Sequence, residues 1–215
     1  MIAHKAAIAL VAMAVGAATA NAQPLEKRFR VGMQFGDWHM SGTAENDSRH
    51  VFVQTTAGDN GFIGGVNFGY WLSEGTALDF SVGVLRVEYH AEFEATGAST
   101  EASYVTTVLA GVRQYFPRST YGGSVRPFVL AAVGSFAGSQ SEAYASYFVT
   151  VESRTESALG GQLAGGVDFL LSKRFIAELT VGANVMADFP ESIGGRFNYG
   201  GPFVSAGFGI LFGHG

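Results

Sequence analysis

Six charged residues stand apart because each falls on the polar side of an otherwise apolar, alternating segment: Arg28, Arg30, Asp79, Arg113, Asp168 and Glu178. Enclosed together, three cations and three anions can pair into a network or line a polar path or gate. Pairing is the expected outcome, because an unpaired charge in a narrow interior is expensive. Other chemistry has less behind it. The histidines His4, His39, His50, His90 and His214 offer no i, i+4 pair for a metal. Glu88, His90 and Glu92 share one face of a strand extension, which a solvated rim explains better than a metal or proton site. His39, Ser41 and Asp47 could be arranged for hydrolysis, but any polar loop would allow as much. The chain has no cysteine, which removes thiol catalysis, disulfides and cysteine-ligated zinc together. No catalytic residue, metal site or cofactor is expected.

The elements that must position the six charges are read from a period of two. Phe175 to Val185 places Phe175, Ala177, Leu179, Val181, Ala183 and Val185 opposite Glu178, Thr180 and Asn184. Phe29, Val31, Met33 and Phe35 stand opposite Arg28, Arg30, Gly32 and Gln34; Val204 to Phe212 repeats the pattern. Phe62–Leu72, Leu78–Leu85, Tyr104–Arg113 and Leu159–Leu171 read the same way. Pro127–Phe136, apolar on both faces, completes eight strands between about 28 and 213. Short links, Ser73–Thr76 and Ser172–Arg174, alternate with long ones: Ser41–Gly61, Glu94–Ser103, Ala137–Ser157 and Phe189–Pro202. About ten residues, Pro117 to Arg126, join the fourth and fifth strands.

Residues 1–22 read as a secretory signal, with Lys5, an uncharged run from Ala6 to Ala18, and the small-residue exit Ala20-Asn21-Ala22. The run is too short to span a membrane as a helix. A mature domain over 23–215 is expected. The whole chain is spare in charge, at 14%, and holds 30 glycines in 215 residues, about twice the usual ~7%. The net charge of −5 argues against nucleic acid as a partner.

Alternation alone leaves the inner face open. A soluble ligand-binding barrel buries its apolar face, whereas a membrane barrel turns that face to lipid. Volume decides. An eight-stranded barrel has room inside only for modest side chains, and the face with Gly32, Gly36, Gly65, Gly69, Gly83, Gly111, Gly182, Gly207 and Gly209 fits. The apolar face carries no charge in any of the eight segments. The expected fold is an all-β, eight-stranded antiparallel up-and-down transmembrane barrel with short periplasmic turns and longer extracellular loops. Aromatics at the two strand ends, Tyr70, Phe116, Phe169, Phe175 and Phe212 against Phe62 and Tyr104, suit interfacial girdles.

The signal, the eight strands and the stretches Gly165-Gly166-Val167-Asp168-Phe169, Asp188-Phe189 and Ile193-Gly194-Gly195-Arg196-Phe197-Asn198-Tyr199-Gly200 resemble the small outer-membrane barrels of Gram-negative bacteria, the OmpA/OmpX type. Arg126-Pro127-Phe128 is similar too. The resemblance implies a closing-strand signal for the barrel-assembly machinery, matched by Ser205, Gly207, Ile210 and Phe212, although the chain continues through Gly213-His214-Gly215. It implies a monomer in the outer membrane, in contact with lipid and lipopolysaccharide, with a structural or surface-interaction role and no enzymatic activity. Exposed Tyr and Phe in Ala137–Ser157 and Phe189–Pro202 are candidates for meeting a partner. The alternatives are a narrow OmpW-like or porin-like transporter of small or hydrophobic solutes, and a soluble periplasmic lipocalin-like barrel.

Overall fold

The computed structural model describes residues 25–39, 60–94, 97–116, 124–145 and 149–213. Residues 1–22, read above as a signal, and Ser41, Asp47, His50 and His214 lie outside them. Among the described residues eight strands follow one another: β1 (Phe29–His39), β2 (Asn60–Trp71), β3 (Thr76–Glu94), β4 (Gly97–Tyr115), β5 (Val125–Ala145), β6 (Val149–Leu170), β7 (Phe175–Met186) and β8 (Gly201–Phe212). Each pairs antiparallel with its sequence neighbour, and β8 returns to β1, from Phe29↔Phe212 to Trp38↔Phe203. Closure leaves no open edge through this part of the wall.

The period of two resolves into two surfaces. Phe29, Val31, Met33 and Phe35 of β1, Phe68 of β2, Leu78 and Phe80 of β3, Val108 and Val112 of β4 and Phe208 and Ile210 of β8 all lie exposed outside. On β5, β6 and β7 the outer face carries Val129, Val133, Leu159, Leu163, Val181 and Val185. At the short-turn end, rings pack side by side on the outer wall, Phe29 on Tyr70 at 4.6 Å and Phe175 on Phe208 at 5.5 Å. A barrel in water would bury this surface. The lipocalin-like arrangement is therefore not the one built.

Two features of the strands depart from the sequence reading. Within the links read as Glu94–Ser103 and Ala137–Ser157, the described residues 97–103, 137–145 and 149–157 continue the ladder rather than forming loops. β3 and β4 pair out to Glu94↔Gly97, and β5 and β6 to Ala145↔Val149. Rich in Ser, Ala, Gly and Glu, these stretches show no sustained apolar alternation to recognise, yet backbone pairing needs none. β5 and β6 thus reach 21 and 22 residues, against 12 in β7 and β8. The second departure is inside. The sequence reading, in which side chains of the inner face plug the lumen, named its glycines and charges but not the large apolar side chains that fill both ends: Trp38, Leu85, Phe136 and Met186 towards the long connections, Trp71, Tyr115, Phe128 and Leu170 towards the short turns.

Glycine is needed where the backbone of a neighbouring strand leaves no space. At Gly134 on β5 a Cβ would stand 1.9 Å from the carbonyl oxygen of Val108 on β4, and backbone cannot give way as a flexible side chain can. Gly134→Val is expected to stop the β4–β5 ladder from closing. On an unheated SDS gel the variant should run only as unfolded chain, while wild type gives a second band that shifts on boiling.

Candidate functional site

Register carries the charges to one level of the lumen. Asp168 on β6 stands directly opposite Glu178 on β7, and Asp79 on β3 opposite Gly111 on β4. Arg30 rises from β1 and Arg113 from β4, two residues before Tyr115. Glycines on neighbouring strands make the room. A Cβ at Gly209 would lie 3.2 Å from Arg30 Cγ, and one at Gly69 would lie 3.5 Å from Arg30 Nε.

Glu178 is the hub. Its Oε2 accepts from Arg30 Nη1 at 2.5 Å and from Arg113 Nη1 at 2.6 Å, and its Oε1 accepts from the Thr180 hydroxyl at 2.7 Å. Asp79 Oδ2 lies 3.2 Å from Arg30 Nη2 and 3.0 Å from Arg113 Nη2. Asp168 Oδ1 lies 3.6 Å from Arg30 Nη1 and 3.4 Å from Arg113 Nη1, while the Tyr115 hydroxyl donates to its Oδ2 at 2.7 Å. The Arg113 guanidinium also sits 4.0 Å from the Phe128 ring centroid. Asp168 has no exposure at all, and the others are nearly as deeply buried. Buried charges persist only when paired and hydrogen-bonded, and here each one is.

Five of the six residues singled out in the sequence meet in this layer. Arg28 does not. It precedes β1, and its Nη2 donates instead to the Lys173 carbonyl at 2.6 Å across the short-turn end. Its even number gave it the parity of Arg30, but parity says nothing about where a strand begins. Tyr115, Thr180 and Phe128 were missed, although the first two follow Arg113 and Glu178 by two positions and so share their face. Arg126 was missed as well: its Nη2 reaches Glu74 Oε2 at 3.4 Å in the β2–β3 turn. Glu88, His90 and Glu92 fall on the outer extension of β3, where His90 pairs in register with Glu101. His39 ends β1.

Both mouths are filled. At the short-turn end Leu25 is fully buried, its N–H donating to Glu74 Oε1 at 2.8 Å, and the Lys27 N–H donates to the Trp71 carbonyl. Trp71 stacks on Tyr115 at 6.0 Å, and Tyr115 meets Phe128 edge-on at 5.9 Å. At the other end residues 187–200 fold inward. Phe189, Ile193, Arg196 and Tyr199 are buried there, so Phe189 and Tyr199 are not the exposed aromatic contacts expected of Phe189–Pro202. Tyr199 packs against Trp38 at 5.9 Å and against Phe189 at 6.0 Å. Beside the charged layer, the space between Arg30, Asn67, Ile176 and Glu178 leaves no room for a free water.

A closed eight-stranded barrel, apolar outside and charge-paired within, has the architecture of the transmembrane barrels found in Gram-negative outer membranes. Solved structures share that fold. Ail, the attachment invasion locus protein of Yersinia pestis, superposes with a TM-score of 0.51 at 13% identity, over 87% of this chain and 99% of that one. Neisserial surface protein A does so with a TM-score of 0.54 at 10% identity, over 86% of this chain and 97% of that one. No sequence-family model and no curated protein matches the chain in sequence.

Proposed function

We propose that the chain is exported by its 1–22 signal, resides in the outer membrane as a closed, non-enzymatic monomer, and works at the cell surface through the projecting part of β3–β6. Ser205, Gly207, Ile210 and Phe212 serve the assembly machinery, and the outer wall meets lipid and lipopolysaccharide. The observation that carries the surface role is the length of β6. From Val149 to Ala158 it has left β7 behind and has no strand on that side among the described residues. Such an edge presents backbone donors and acceptors to an incoming extended segment. Ail, whose fold is shared, has also been solved with the heparin analogue sucrose octasulfate, which supports surface binding as a use of this architecture.

The filled mouths support a lumen closed to diffusion over the narrow-transporter reading. In planar bilayers the refolded protein is expected to give a flat current, and stepwise openings would restore transport as the function. The edge itself is tested on intact cells. Thr155→Pro removes a donor from β6, and it should abolish whatever adhesion the wild-type chain confers on a non-adherent host strain. Undiminished adhesion by that variant would remove the β6 edge from the function.

A further inference from the structure

The strands that project beyond β2 and β7 sort their charge onto one face. Along β3, Asp79, Ser81 and Leu85 are buried, so odd positions hold the inner face up to that point. The register then shifts between Arg86 and Glu88, which leaves Val87 as an extra residue. Such a bulge reverses the parity of everything beyond it. Glu88 pairs with the buried Ser103, and Glu88, His90, Glu92 and Glu94 take the inner face in place of Tyr89 and Phe93. On the next three strands the same face carries Glu101, Glu142, Glu152 and Glu156, the last paired with Gly138 beside Ile193.

One row crosses all four strands, His90↔Glu101, Glu101↔Glu142 and Glu142↔Glu152. Like charges placed directly opposite destabilise a sheet, so three successive glutamates are a cost that a cationic neighbour offsets. All seven glutamates of the projecting strands share this face, whereas the other face, with Tyr89, Phe93, Val151 and Thr155, carries no charge. The cation among them is Arg154, whose Nε already meets Glu191 Oε2 at 3.0 Å. Counting Arg86 and the buried Arg196 still leaves acids in excess, because Asp37, Asp188 and Glu191 stand at the same end.

Beside this face runs the β6 edge, which from Val149 to Ala158 has no strand on the β7 side among the described residues. The edge suits an extended backbone and the face suits positive charge, and these are independent features. We infer that the partner taken by the β6 edge is an extended peptide segment with Lys or Arg at alternate positions and uncharged residues between them. Added alongside β6, such a strand sets its cations next to Glu152 and Glu156 and its uncharged side chains next to Val151 and Thr155. Arg154, between the two glutamates, is offset by Glu191. The inference rests on the surface role of the β6 edge and gives its partner a chemistry.

The test uses the full refolded chain in non-ionic detergent with two labelled peptides, one alternating Lys and Thr, the other alternating Glu and Thr. Fluorescence anisotropy is expected to show binding of the Lys peptide, weakening as salt is raised, and none of the Glu peptide. In Glu152→Gln/Glu156→Gln the affinity for the Lys peptide should fall about tenfold. Equal binding of the two peptides to wild type overturns the inference, and this comparison needs no variant to fold. A Lys peptide indifferent to the glutamine pair, in protein that gives the heat-shifted band, overturns it as well. Thr155→Pro separates the inference from the reading beneath it. Lys-peptide binding kept by Thr155→Pro but lost with the glutamates would uphold the cationic partner and remove the edge. Adhesion lost by Thr155→Pro, with no Lys-peptide binding to wild type, would uphold the edge and remove the cationic partner.

Discussion

Arg113→Ala is expected to lower the free energy of unfolding by about 3–5 kcal/mol, the range for breaking a buried ionic cluster from one side. Arg113 lies against all three buried carboxylates, Asp79, Asp168 and Glu178, and its removal leaves them facing Arg30 alone. The packing of its guanidinium on Phe128 is lost as well. Asp79→Asn is the informative contrast. It keeps the shape and leaves Arg30 and Arg113 facing Asp168 and Glu178, so its cost should be clearly smaller. Arg113→Lys should behave more like alanine than like wild type, since a single ammonium cannot replace two guanidinium nitrogens aimed at different carboxylates. Urea titrations in detergent micelles, read by gel shift and tryptophan emission, give the order. A loss at Asp79→Asn equal to that at Arg113→Ala would mean that the layer is not the single coupled network its geometry describes.

The sequence made this layer legible to the extent that strand parity could. Period two assigns each charge to a face, so Arg30, Asp79, Arg113, Asp168 and Glu178 could be named without knowing any register. Their meeting at one level depends on pairings such as Asp168↔Glu178, which the alternation does not encode. The strand ends were less legible for the opposite reason. Where β5 and β6 leave the apolar belt they lose their patterned face but keep their hydrogen bonds, so hydropathy stops reporting while structure continues. The inward fold of residues 187–200 was hidden by its composition. Phe189, Ile193 and Tyr199 are spaced by a turn rather than by a strand, and no periodicity marks them as inward. One local signal was present: Gly194-Gly195 between Ile193 and Arg196 is a hairpin turn pair. The short-turn plug left even less trace, because Leu25 is a single apolar residue ahead of β1 and has no period to mark it.

The outer wall makes the remaining large prediction. Met33 lies at the middle of the outward run of β1, paired with Val66 on one side and Phe208 on the other, and is 63% exposed. In water that exposure would make Met33→Arg nearly harmless. In a bilayer the same change puts a guanidinium near the midplane, at a cost of about 2–4 kcal/mol. Leu72→Arg is the matched control. Leu72 is 51% exposed but stands beside the β2–β3 turn, at the level where the cost falls to about 0–1 kcal/mol. Folding into liposomes, followed across a urea series, should therefore separate two substitutions that solvent exposure alone would rank alike. Equal stability for the two would mean that this wall does not meet lipid, and the membrane assignment would fall with it. A clear penalty at Met33 alone would fix the depth of the barrel as well as its orientation, because only a position far from both rims carries the full cost.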